Sequence, residues 1–494
     1  MTQSRPLSSA RLVILLLIAW GLLTFRLSAP WYGVQDSFRV WVASAVRNYD
    51  LYGVDTTGLM VTRNSEPVAS RGELTFYSHH PPLIAWLPYV TTRFLGNNEF
   101  GVRYGFACVT LISMVALYVL ARRLYGEKVA FWSAAFYGLP PMIAYFGRVP
   151  GHDQIGMMAS LLFGTVLINW LRRPNRARLL ALIGLTWLAV WSAWPAVFFI
   201  AVLGMTAMIF GNRSQKIAVV GLGFVSIIAF VVMMAYYQLV WSGSINSLLD
   251  SFVWRSSSDT YRPGSADFTL PQFFTLMTAH LMFYATPGLL GMGIIGLWAL
   301  RRHGMRFANG IVFALFAASL LYQLTFRNAS YIHDFYKMFF MPSLGIAAAM
   351  AWVYTRNNRR VRRISRPILD GMLLSSLLAG AFVWGILHYS GRQPLLHAVI
   401  TGINTYTEPD DTVIIYFDYI GYEPTTGYDR VVMFYTSRKI LWGIPLEEVL
   451  AMQTAGRKDF VYCAKEAGNF PSALFEYDYQ PIYGGNCTLF FIGE

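Results

Sequence analysis

The side chains able to do chemistry in this chain fall into a few short groups: Asp36; the pair His79-His80 ahead of Pro81-Pro82; Arg148; His152-Asp153; Arg327; and His333-Asp334 followed by Tyr336 and Lys337. Carboxylates set among cations suit the transfer of a group away from a phosphate. A carboxylate takes the proton of an attacking hydroxyl, a general-base contribution of roughly 10²- to 10⁴-fold. Cations stabilise the charge that develops on the departing phosphate, where preorganised electrostatics act most strongly. One reaction joins both needs to a membrane setting, namely transfer of a sugar from a polyprenyl phosphate to an acceptor hydroxyl.

The elements that must position these residues are membrane helices. Hydrophobic residues make up 55% and charged residues 13% of the 494, and the mean hydropathy is +0.43, which excludes a soluble globular protein. The net charge of +13 is no nucleic-acid footprint, because Arg and Lys sit in short clusters between apolar runs, as membrane topology requires. Nucleic acid is therefore excluded as a partner.

A spanning helix needs about 20 mainly apolar residues. Spans are expected near 11–27, 102–121, 129–146, 154–171, 179–193, 195–211, 217–241, 281–299, 308–326, 335–354 and 368–389, about eleven in all. The short 179–193 stretch pairs with 195–211 as a broken or re-entrant hairpin around Trp191-Ser192-Ala193-Trp194-Pro195, since proline cannot continue a helix upstream. The first run follows Arg5 and Arg11 like a signal peptide but leads into Leu27-Ser28-Ala29-Pro30, so it reads as a retained anchor.

Basic residues cluster in every second connection: Arg11; Arg122, Arg123 and Lys128; Arg172 to Arg178; Arg213 and Lys216; Arg301, Arg302 and Arg306; Arg356 to Arg366. Those connections are cytoplasmic by the positive-inside rule, and the N-terminus lies with them. The alternate connections, 28–101, 147–153, 242–280 and 327–334, are external together with the tail from Gly391. Every group named at the outset lies on that external face. The span midplanes hold almost no ionisable side chains, which argues against a transporter.

Segments 28–101 and 242–280 are too long for turns and are expected to hold short interfacial helices. In the first, Phe38, Val42, Ala45 and Val46 recur at helical spacing after Asp36, so Asp36 is placed at the N-cap or in the first turn of an amphipathic helix. The tail changes character. Runs at 412–417, 430–435, 459–463 and 488–492 are β-branched or aromatic, and a helix is expected over 445–453. The expected architecture is thus a polytopic α-helical membrane protein, 1–390, carrying a small extracytoplasmic α/β domain, 391–494. Of three cysteines, Cys108 lies in an apolar stretch, while Cys463 and Cys487 lie in the tail, where pairing and two free thiols are equally compatible.

Three motifs carry a more specific likeness: Asp36 after the first span, Tyr77-Ser78-His79-His80-Pro81-Pro82-Leu83 late in the first loop, and Gly147-Arg148-Val149-Pro150-Gly151-His152-Asp153 before the fourth. With Trp191 to Pro195 and Ile332-His333-Asp334-Phe335-Tyr336, this resembles the C-type glycosyltransferase superfamily. Within it, the chain resembles glycosyltransferase family 39 and its bacterial relatives, the protein O-mannosyltransferases and lipid A aminoarabinose transferases. The resemblance covers roughly residues 10–390 and leaves the tail uncovered. It implies an inverting transferase using a polyprenyl-phosphate monosaccharide donor and a lipid, polysaccharide or protein acceptor. Asp36 would be the base and Asp153 a second acidic site residue. His80, Arg148 and Lys337, with His79 and His333, would lie near the donor phosphate, and Asp334, Arg327 and Tyr336 around the acceptor.

The chain departs from the family at two points. Relatives usually follow the first-loop Asp with Glu, whereas Asp36 precedes Ser37; many carry Lys-Pro-Pro-Leu, whereas His80 takes the lysine position. A histidine of ordinary pKa, about 6.5, is only partly charged at neutral pH, which shifts phosphate recognition toward Arg148, Arg327 or Lys337. Asp36, His152 and Asp153 offer a partial shell for a divalent ion, as in the related oligosaccharyltransferases, but the family 39 resemblance implies catalysis without metal.

Each assignment has a plainer competitor. Asp36 and Asp153 suit helix N-termini, His79 and His80 suit interfacial snorkelling, and His333, Asp334 and Lys337 suit anchoring of a helix end at the headgroups. Trp191 and Trp194 suit an aromatic belt. The competing functions are a metal-dependent, oligosaccharyltransferase-like or ligase-like enzyme and a membrane transporter.

Overall fold

The computed structural model describes residues 9–492 except 66–67, 258–265, 303, 305, 358–361, 410, 416–427, 455–459, 466–473, 475 and 483–486. The chain forms two compact units: Met1–Ser28 with Tyr77–Ile386, and Ala29–Phe76 with Leu387–Glu494.

The first unit is helical. Its helices begin and end where local chemistry dictates. Asn98 accepts from the Gly101 amide at the head of Glu99–Tyr125, and Asn212 with Gln215, then Thr269 with Gln272, form reciprocal capping boxes before Arg213–Val240 and Leu270–Tyr284. Gly126, at φ +88°, takes a backbone conformation suited to glycine and joins Glu99–Tyr125 to Glu127–Gly138 through one residue. Arginines end several helices, Arg122 and Arg123 in one and Arg301 and Arg302 in another, where they complement the helix dipole and anchor the chain at headgroups.

Every expected span coincides with a helix or a bent helix pair. By length and composition, six described helices can cross a membrane, or up to eight if each of two bent pairs is one span. The pairs are Glu127–Gly138 with Pro141–Arg148, bent by 62°, and Leu270–Tyr284 with Pro287–Arg302, bent by 113°. Prolines at 140, 141 and 287 sit in both bends, where a missing amide and a fixed φ turn the chain. The Trp191–Pro195 stretch does break, with Arg176–Ser192 and Trp194–Phe210 meeting at the extended residue Ala193. The segment 242–280 holds Ser244–Ser256 and most of Leu270–Tyr284, as expected for a connection with helices of its own.

With no water to drive helices together in lipid, their packing depends on close approach at small residues. A Cβ added at Gly296 would stand 1.9 Å from the Ala347 carbonyl oxygen, so Pro287–Arg302 and Met341–Asn357 meet backbone to backbone. A Cβ at Gly156 would stand 2.6 Å from that of Ala193, which seats His152–Arg172 against the break.

The second unit joins the first loop to the tail. Its sheet runs in the order β2-β1-β3-β5-β4, with β1 Thr412–Ile415, β2 Lys439–Trp442, β3 Phe460–Lys465, β4 Asp478–Ile482 and β5 Cys487–Ile492. β1 is parallel to β2 and β3, pairing Ile414 with Leu441 and Tyr462, while β5 runs antiparallel to β3 and β4. Ile414, Val449, Leu474, Phe490 and Ile492 form its core. The expected helix is found at Leu446–Thr454. The 430–435 run, read as strand-like, is instead part of the helix Tyr428–Thr436. Val432 and Thr436 are buried four residues apart, and the helix packs on Asp36–Tyr52 among other elements, so tertiary burial overrides the β-propensity of the run. The pairing of Cys463 with Cys487 falls on side chains outside the described residues.

Candidate active site

The loop Tyr77 to Pro82 is pinned from three helices. Ser78 Oγ donates to the Ser244 carbonyl at 2.8 Å, His79 Nε2 lies 3.0 Å from Ser247 Oγ, and Trp194 Nε1 donates to the His79 carbonyl at 2.8 Å. Tyr237 Oη donates to the His80 carbonyl at 2.5 Å. With its backbone so held, His80 turns its ring onto His152, stacked at a centroid distance of 3.7 Å. His80 Nε2 lies 2.9 Å from Arg255 Nη2.

Arg255 organises the cluster. It is buried near the end of Ser244–Ser256, donates from Nε to Ser251 Oγ at 2.8 Å and from Nη1 to Tyr336 Oη at 3.1 Å. An arginine has five donors and no acceptor, so Nε2 of His80 accepts and carries no proton in this arrangement. The permanent cation beside the Pro81-Pro82 motif is thus Arg255, and His80 helps hold it in place. Sequence reasoning missed Arg255, although a signal existed: it is an arginine in 242–280, a connection outside the basic clusters.

His152 and Asp153 open the helix His152–Arg172 after Gly151, and both are fully buried. His152 Nε2 is 3.1 Å from Asp153 Oδ1. Asp153 lies in the first turn of this helix, whose N-cap is Gly151. A first-turn carboxylate is favoured by the helix dipole. Gln154 Nε2 donates to the carbonyls of Phe146 and Val149, which ties down the preceding turn.

Two cations expected near the phosphate donate to backbone carbonyls. Arg148 donates from Nη1 to the Phe25 carbonyl at 2.6 Å and lies over the Tyr145 ring. Lys337, buried in the turn Asp334–Phe340, donates to the carbonyls of Ser330 and His333. Arg327 likewise donates from Nε to the Ser256 carbonyl at 3.1 Å, next in sequence to Arg255. Asp334 accepts from Tyr284 Oη, and the His333 ring packs on Phe335 and Tyr336. Of this segment, Tyr336 bonds directly to Arg255.

An apolar cavity of about 460 Å³ has Trp194, Phe198, Phe230 and Phe252 in its wall and Arg255 with His79 among its few polar residues. A second, about 270 Å³, shares Val197 and Ser226 with it and extends along Trp194–Phe210 and Arg213–Val240 as far as Met208 and Val219. Asp36 belongs to the other unit. It is the first residue of Asp36–Tyr52 and is buried. Its N-cap, Gln35, has φ +64°, a conformation costing a non-glycine residue roughly 1–2 kcal/mol. Among the described residues no group of three or more His, Cys, Asp or Glu could hold a metal ion.

Residues 79–241 match the sequence profile of the family described as dolichyl-phosphate-mannose-protein mannosyltransferase. The fold is similar to ArnT from Cupriavidus metallidurans bound to undecaprenyl phosphate, at 13% identity and TM-score 0.67, with 98% of each chain covered. It is also similar to the archaeal oligosaccharyltransferase AglB from Archaeoglobus fulgidus in complex with an inhibitory peptide and a dolichol-phosphate, at 11% identity and TM-score 0.57, covering 92% of this chain and 69% of that one. No curated protein matches the sequence. The architecture is the C-type glycosyltransferase fold of an integral membrane protein, as the motifs implied.

Proposed function

We propose that the protein is an inverting glycosyltransferase that moves a monosaccharide from a polyprenyl-phosphate donor to an acceptor hydroxyl at the extracytoplasmic face. The observation that carries this reading is Arg255, held by Ser251, His80 and Tyr336 where it also lines a 460 Å³ apolar cavity. A fixed guanidinium at an apolar cavity fits a ligand with an anionic head and a hydrocarbon tail, and its planar fork suits phosphate oxygens. The undecaprenyl phosphate and dolichol-phosphate named with the similar structures are ligands of that chemistry.

In the proposed reaction the acceptor oxygen attacks the anomeric carbon from the face opposite the phosphate. The carbon–oxygen bond to phosphate breaks, the configuration inverts, and Asp36 takes the acceptor proton. Polyprenyl phosphate departs with its new charge facing Arg255. Asp153 Oδ1 lies 3.1 Å from His152 Nε2, His152 stacks on His80, and His80 accepts from Arg255, so in this reading the acidic residue acts as a positioning group for the cation.

The test is transfer by Asp36→Asn in purified protein with a polyprenyl-phosphate sugar, read beside thermal unfolding. Loss of at least about 10²-fold with unchanged unfolding is expected of a general base; substantial transfer would remove Asp36 from that role. Mass spectrometry of lipid copurifying with the protein, lost in Arg255→Met, tests the donor site separately.

A further inference from the structure

The helix Tyr428–Thr436 of the tail grips the first-loop helix from both ends with two consecutive residues. The Phe434 carbonyl accepts from Arg47 Nη1 at 2.8 Å, and the guanidinium lies over the Phe434 ring at 4.7 Å. The Tyr435 hydroxyl accepts from the Trp31 amide at 3.0 Å, ahead of the helix, and its ring packs edge-on against Tyr32. Arg47 lies near the far end of Asp36–Tyr52 and also donates to the Ser65 carbonyl, closing the loop behind it. Between these two grips the backbone turns sharply, with the Asp36 amide donating to Gly33 and Gln35 at φ +64°. A strained residue persists only where its surroundings over-determine it.

From this clamp we infer that the tail is a positioning element for Asp36: Tyr435 and Arg47 fix the helix whose first residue is the proposed base. The inference rests on that proposal. A helix is rigid at this length, and Arg47 lies about 16 Å along the axis from Asp36, so a tilt of roughly 4° at the clamp displaces the carboxylate by about 1 Å. A misplacement of that size in a reacting group costs on the order of 10²-fold in rate. The tail then governs the catalytic step and leaves binding of the lipid donor alone.

The experiment uses the full chain in lipid nanodiscs with a polyprenyl-phosphate sugar. Tyr435→Phe removes one hydroxyl and keeps the ring; Arg47→Met keeps the packed stem and removes the donors; Arg47→Lys restores one donor. We expect Arg47→Met to lower kcat by about 10- to 100-fold with donor KM within about twofold, Tyr435→Phe to do so less, and Arg47→Lys to recover part of the loss. Placed on Asp36→Asn, Arg47→Met should lower the residual rate no further, whereas a general folding defect would lower it again. Unchanged kcat in both Arg47→Met and Tyr435→Phe beside an inactive Asp36→Asn overturns the positioning role alone. A raised donor KM with unchanged kcat also overturns it. An active Asp36→Asn instead overturns the base assignment beneath it.

Discussion

Replacing Arg255 tests the site most directly. In Arg255→Met the stem stays while three hydrogen bonds go, to Ser251, Tyr336 and His80. Hydrogen bonds to a charged group contribute about 1.5–3 kcal/mol each. The larger loss is catalytic, because a single preorganised donor facing developing charge is worth roughly 10²–10³ in kcat, about 2.7–4 kcal/mol. Arg255→Lys keeps the charge but not the fork, and one ammonium cannot span His80 and Tyr336 as the guanidinium does. We expect Arg255→Met to lose about 10²- to 10³-fold in kcat and Arg255→Lys to fall between it and the parent. Initial rates of labelled sugar transfer at saturating donor, with thermal unfolding in the same detergent, read the result. An Arg255→Met protein within about threefold of the parent rate would refute the reasoning, since no phosphate charge could then depend on this side chain.

Lys337→Met is expected to act on stability, because the buried carbonyls of Ser330 and His333 lose their ammonium donor. The cost is about 1–3 kcal/mol, read as a lowered unfolding midpoint; full stability with abolished transfer would return Lys337 to the phosphate. Gly223→Phe projects from a position where an added Cβ meets nothing within 4 Å, into the second apolar cavity. It should raise KM for long polyprenyl donors and spare short ones, and equal effects on both would separate that cavity from the donor tail. Transfer is expected to persist in excess chelator, as the family 39 resemblance implies. Loss reversed by a divalent ion would favour an oligosaccharyltransferase-like mechanism.

Much of this protein is written locally. Apolar runs and alternating arginine clusters mark its helices, because a bilayer demands about 20 apolar residues per crossing and a basic inner face. The Tyr77 to Pro82 loop and His152-Asp153 are legible for a similar reason, as polar motifs at the ends of apolar runs. Tertiary structure decided the rest. The carbonyl partners of Lys337 and Arg148, seven and more than a hundred residues away, come into view only in the fold. Residues 430–435 carry the side chains of a strand, yet burial against Asp36–Tyr52 makes them a helix. Arg255 has no motif around it and acquires its role from His80, 175 residues earlier, and Tyr336, 81 residues later. Hydropathy and capping depend on neighbours within a turn or two and so are legible in sequence; hydrogen bonds between distant segments have no period, and only the fold brings their partners together.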